Sequence, residues 1–166
     1  CIRDSSNRIG INEKLNKGVI IGITKLAQKS PNHNPFEYLG YKLERDPINA
    51  FMELRKIKGI GDKIASFILR DIAVMLEIDD KIPLHYQILL QPIDRWIKAI
   101  VITIWKDLEK RASQWIIALK IIDKCSIYNF SPARFNQGAW KFGTTVIKNT
   151  TRVSEGLREL LYKNNK

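Results

Sequence analysis

The sequence predicts an all-α fold, and three observations carry the prediction. Apolar residues recur at three- and four-residue intervals in one segment after another. No stretch shows the sustained alternation of half-buried strands joined by hairpin turns. Helix start signals stand between the periodic segments, most clearly Asp46-Pro47, where a capping carboxylate precedes a proline whose missing N–H costs nothing in a first turn. At 166 residues the chain suits one domain with a real core, or two small helical lobes. The expected organisation is a single helical unit over residues 1–166, with the N- and C-terminal helices packing as a second lobe.

The elements follow in order. Residues 1–10 are polar and read as a loop. Residues 13–29 read as a helix, with Leu15, Val19, Ile23 and Leu26 on one face and Asn12 as its cap. The run Ser30-Pro31-Asn32-His33-Asn34-Pro35 ends that helix and turns the chain. Residues 36–43 form a short helix. Asp46-Pro47 then opens a helix to about residue 57, in which Phe51, Leu54 and Ile57 share a face. The turn Lys58-Gly59-Ile60-Gly61 leads to a second helix over residues 62–76, with Asp62 as its expected cap and Ile64, Ala65, Phe67 and Ile68 as its apolar positions.

That turn is the stretch around which the chain is organised. Gly59 and Gly61 accept positive φ and let another backbone approach with no Cβ between. Ile60, between them, is expected to plug the angle of the two helices. The backbone N–H groups at the start of the second helix form a ready site for a phosphate.

Beyond it, residues 79–92 are ambiguous, and the apolar run Leu84 to Leu90 suits a strand or a helical turn equally. Asp94 caps a helix to about Trp105. Residues 110–124 are periodic through Ala112, Trp115, Ile116, Leu119 and Ile122. Two further helices are expected over residues 134–148 and 154–162.

A net charge of +11, from 28 basic and 17 acidic residues, points to an anionic partner. Cys1 and Cys125 make neither a disulfide framework nor a metal knuckle, so a reducing, intracellular setting is expected. His33 and His85 are isolated, which suits surface or packing roles better than zinc. The apolar run from Ile97 to Trp105 is too short to span a membrane.

The glycine-bracketed turn with Lys63 two residues after its second glycine, followed by Pro92-Ile93-Asp94, resembles the HhH-GPD superfamily of DNA base-excision glycosylases. The long interval between Lys63 and Asp94 is similar to that of the archaeal 8-oxoguanine DNA glycosylase (AGOG) branch, and so is the segment from Phe135 to Gly143. The resemblance spans about residues 1–143. It implies a helix-hairpin-helix glycosylase fold and a bifunctional DNA glycosylase with AP-lyase activity in base-excision repair, excising an oxidised purine such as 8-oxoguanine.

In that scheme Lys63 is the amine that forms a Schiff base with the sugar, and Asp94 is the carboxylate that steadies its developing positive charge. Phe67, Asn136 and Trp140 hold the flipped base in a pocket between Lys63 and Asp94. Lys58, Gly59, Ile60 and Gly61 meet the DNA backbone. The partner is double-stranded DNA carrying a damaged base, bound by a monomer. No metal or organic cofactor is required, although a monovalent cation fits at the hairpin carbonyls.

The chain also departs from the branch. Asn136 stands where the family has an acidic residue, Arg95-Trp96 follows the aspartate where many relatives have a histidine, and residues 1–30 match an interior segment of the longer enzymes.

The residues by themselves allow plainer roles. A lysine after such a turn also occurs in proteins that only grip phosphate, Asp94 serves as a helix cap in any case, and Phe67 suits core packing. Lys56, Lys58, Arg134, Lys141 and Lys148 fit phosphate contacts or a solvated face. The rival to the enzyme is therefore a non-enzymatic helix-hairpin-helix module that binds the DNA backbone without sequence preference.

Overall fold

A computed structural model describes residues 16–30 and 32–163. The fold is all-α, with no strand among the described residues. The expected N-terminal loop, the Asn12 cap and the Leu15 position lie outside the described residues. The helices are α1 (residues 16–27), α2 (Pro35–Arg45), α3 (Pro47–Arg55), α4 (Asp62–Met75), α5 (Arg95–Ile104), α6 (Gln114–Ile127), α7 (Pro132–Phe142) and α8 (Val153–Lys163). The ambiguous run Leu84–Leu90 is a 3-10 helix. No helix among the described residues is long and apolar enough to cross a membrane.

The chain divides into two compact units, Cys1–Ile82 and Pro83–Lys166. In the first, two caps set the helix starts. Asn34 accepts the amides of Phe36 and Glu37 ahead of α2, and the Asp46 carboxylate accepts the Asn49 amide at 3.0 Å ahead of α3. Leu39, Leu43, Ala50 and Leu54 of these two helices join Leu69 and Ile72 of α4 in a core that is almost wholly removed from water. α1 packs close against the turn after α3. A Cβ on Gly22 would come within 2.3 Å of Ile57, and one on Gly18 within 3.0 Å of the Lys58 carbonyl oxygen.

In the second unit, α5, α6 and the segment before α5 enclose Ile93, Ile97, Val101, Ile117, Ile121 and Cys125. Trp96, Ile100, Ile147 and Val153 form a smaller cluster beside α8. Burial pushes the Cys125 thiol up to about 11, which leaves it a packing group rather than a nucleophile at neutral pH.

Three expectations are corrected here. Asp62 does not cap α4. Gly61 is the cap, and Asp62 lies in the first turn, ion-paired to Arg55. On α6 the apolar positions Trp115, Ile116 and Leu119 face solvent, whereas Ile117, Ala118, Ile121 and Cys125 are buried. The helix is apolar on nearly every side, so its period alone does not select the packed face. α7 begins at Pro132 under a Ser131 cap, two residues before its expected start, and passes into a π-helical turn at Gly143–Ile147.

Candidate functional site

Of the two glycines in the turn after α3, Gly59 takes the positive φ expected of it and Gly61 does not. Gly59 holds φ at 100°, a conformation that side-chain-bearing residues rarely adopt. Ile60 is 3 % exposed, and its amide donates to the Ile57 carbonyl at 3.0 Å. Gly61 is extended, and a Cβ there would meet nothing within 4 Å. No side chain caps the first amides of α4. The backbone donors therefore begin beside open space, with Lys58, Gly59 and Lys63 exposed around them.

Arg55 holds this turn shut. Its Nη1 donates to the Ile60 carbonyl at 2.8 Å, and its Nε pairs with Asp62 at the start of α4. The guanidinium thus links α3, the turn and α4. A hairpin carbonyl of the kind expected to take a monovalent cation already has a cationic donor of the chain itself.

Lys63 lies in the first turn of α4, and Phe67 and Arg70 follow along the helix on neighbouring turns. Phe67 is half-buried, with the Arg70 guanidinium 4.7 Å from its ring centroid. Arg70 is 1 % exposed and grips Asp71 through Nε at 2.9 Å and Nη2 at 2.7 Å. Nothing in the hydrophobic pattern announced a buried arginine here, because an isolated arginine in an amphipathic helix ordinarily reads as a solvent position.

In the second unit, the Asp94 carboxylate accepts the amides of Trp96 and Ile97, both at 2.9 Å. The two N–H groups fix its direction. Asn136 on α7 is fully buried. Its Nδ2 donates to the Gln91 Oε1 at 3.1 Å and toward the Pro92 carbonyl at 3.4 Å. It therefore braces the segment that carries Asp94, and its amide is turned to the protein. Gln91, which sequence reasoning passed over, is the other half of that brace and is also buried.

Trp140 lies one helical turn after Asn136 and is 36 % exposed. Gly138 leaves open space near it, as expected, but Gly143 does not. A Cβ on Gly143 would lie 2.9 Å from the Trp96 ring, so that glycine serves packing. The structure thus groups Asp94, Gln91 and Asn136 within the second unit, and Lys58 to Lys63 with Phe67 within the first.

No protein-family profile matches the chain, and no curated protein or solved structure matches it either.

Proposed function

We propose that the protein is a bifunctional DNA glycosylase and AP lyase that acts on duplex DNA carrying an oxidised purine, most simply 8-oxoguanine. The observation that carries this reading is Lys63, an exposed amine in the first turn of α4, directly after a glycine turn whose backbone donors are open to a phosphate. Backbone donors that hold a phosphate set the reach of a neighbouring amine to the adjacent sugar.

The Lys63 amine forms a bond to C1′ while the glycosidic bond breaks, and the departing base takes a proton that the amine nitrogen gives up. In this reading Asp94, its carboxylate oriented by two amide donors, is the group that steadies the positive charge developing on the sugar. The C1′–O4′ bond then breaks as O4′ takes a proton from solvent, which gives an iminium ion on Lys63. Loss of a C2′ proton then expels the 3′ phosphate, which is the lyase step.

A second reading has its own support. Asn136, at the position expected to read the base, is fully buried and committed to Gln91 and Pro92. A module that only grips the DNA backbone needs no such reader. Borohydride decides between them, because it reduces an iminium to a permanent protein–DNA adduct. The whole chain incubated with an 8-oxoguanine duplex and borohydride is expected to give that adduct, and Lys63→Gln to give none. An intact duplex bound without any adduct, across a panel of oxidised purines, would leave the backbone-binding module.

A further inference from the structure

Two cavities of about 400 Å³ each lie in the first unit, neither lined by Lys63, and meet at Lys29. The first runs between α1 and the turn after α3. Lys25 and Lys29 stand on one wall, and Lys56 and Lys58 on the other. Gly18 and Gly22 allow the two walls to approach this closely, because any side chain there would strike Lys58 or Ile57. The second cavity lies between the end of α1 and α2, and is lined by Tyr38, Tyr41, Ser30, Asn32 and Lys42 as well as Lys29.

Glu53 organises the junction. Its carboxylate takes Lys29 and Lys42, each at 3.0 Å, and is 11 % exposed. Burial raises its pKa, but hydrogen bonds from Lys42, Lys29 and Tyr38 outweigh burial and hold it below the usual range. A single carboxylate thereby fixes two amines, while Lys25, Lys56 and Lys58 remain exposed for another anion. The amines of Lys42 and Lys29 lie 5.1 and 5.8 Å from the Tyr38 ring, and the Arg45 guanidinium lies 4.1 Å from that of Tyr41. Tyr41 itself is 56 % exposed.

Amines spaced along one cavity suit the regular charge of a phosphodiester chain. Aromatic rings in the adjoining cavity suit a planar base. In a duplex the base faces are stacked on each other and cannot enter a cavity of this size. We propose that the double cavity binds single-stranded nucleic acid, with phosphates on Lys25, Lys56 and Lys58 and a base against Tyr38 and Tyr41. This site shares Lys56 and Lys58 with the duplex contact, but its aromatic rings take no part in the Lys63 and Asp94 chemistry, so Tyr41 tests it separately.

The test is fluorescence anisotropy with the whole chain and a labelled DNA strand of about 12 nucleotides, within the span that single-strand grooves commonly cover. The same strand is also presented as a duplex, and as an abasic strand that keeps the phosphates and lacks the bases. The intact single strand should bind more tightly than the abasic one. Tyr41→Ala should weaken the intact strand about tenfold, the scale of one lost base stack, and leave the abasic strand and the duplex unchanged.

Tyr41→Phe, which keeps a ring, should restore binding. Because Tyr41 is exposed, these variants keep their fold, which far-UV circular dichroism checks. Lys25→Ala combined with Lys56→Ala should reduce the salt slope for single strands by about 1.4, or about 0.7 for each lost phosphate contact. Equal binding of intact and abasic strands, or no effect of Tyr41→Ala, overturns the proposal. Lys63→Gln should leave single-strand affinity unchanged, so loss of adduct formation in that variant bears only on the glycosylase reading.

Discussion

Asp94 shows how one side chain holds two possible jobs, and how chemistry separates them. Its carboxylate caps α5 through two amides at 2.9 Å, which any helix start in this place would want. The cap was legible in the sequence, because Asp94 precedes an unbroken apolar-periodic segment. The brace behind it was not, since the hydrogen bond from Asn136 to Gln91 joins residues far apart in the chain and follows only from packing. Asn136 also shows why a motif is weaker than a position, because the residue aligned with a base reader is wholly inside the protein. Asp94→Ala should cost about 1 kcal/mol of stability, as lost helix caps do, and should abolish base excision as well. Asp94→Asn keeps a capping oxygen and discards the charge. It should therefore unfold in urea within a few tenths of a kcal/mol of the parent while still losing excision. Excision that survives in Asp94→Asn would mean that the residue is a cap and nothing more.

At the scale of elements, helix starts marked by a cap and proline were readable to within a residue or two, as at Asp46-Pro47. Those chemical signals act locally. The face that a helix buries depends on its neighbours, which is why Trp115 and Leu119 of α6 are exposed despite their apolar spacing. The two cavities of the first unit were unreadable for the same reason, since they arise where α1 meets the turn after α3 and where its end meets α2. Within that turn the two glycines have separable purposes. Gly59 sits at φ 100°, so Gly59→Ala should destabilise the fold by about 1–3 kcal/mol, measured by urea denaturation. Gly61 has an ordinary extended backbone and open space where a Cβ would go. Gly61→Ser should therefore fold as well as the parent or slightly better, since serine is the stronger cap. Its added side chain would stand in front of the first amides of α4, and duplex affinity should fall severalfold. Undiminished affinity in that variant would remove the turn from the DNA interface.

Across the whole molecule, the all-α class was legible because no segment alternates and most repeat at helical spacing. The boundary between Ile82 and Pro83 was not, since it falls in the one segment whose apolar run suits neither period clearly. The net charge of +11 predicts salt-sensitive DNA binding under both functional readings, so salt sensitivity alone separates nothing. The contribution of single residues does separate them. Each lysine that meets a duplex phosphate adds about 0.9 to the slope of log affinity against log salt. Lys56→Ala and Lys58→Ala, in the exposed turn, should each lower the slope by that amount. Lys63 is the informative case. An amine that attacks C1′ faces the sugar rather than a phosphate, so Lys63→Gln should keep the parental slope while losing the borohydride adduct. A lysine that only grips the backbone should instead lose about 0.9 of slope when replaced by glutamine, from a protein that never formed an adduct. Slopes measured on an undamaged and an 8-oxoguanine duplex, alongside trapping on the same preparations, assign Lys63 to the sugar or to the phosphate.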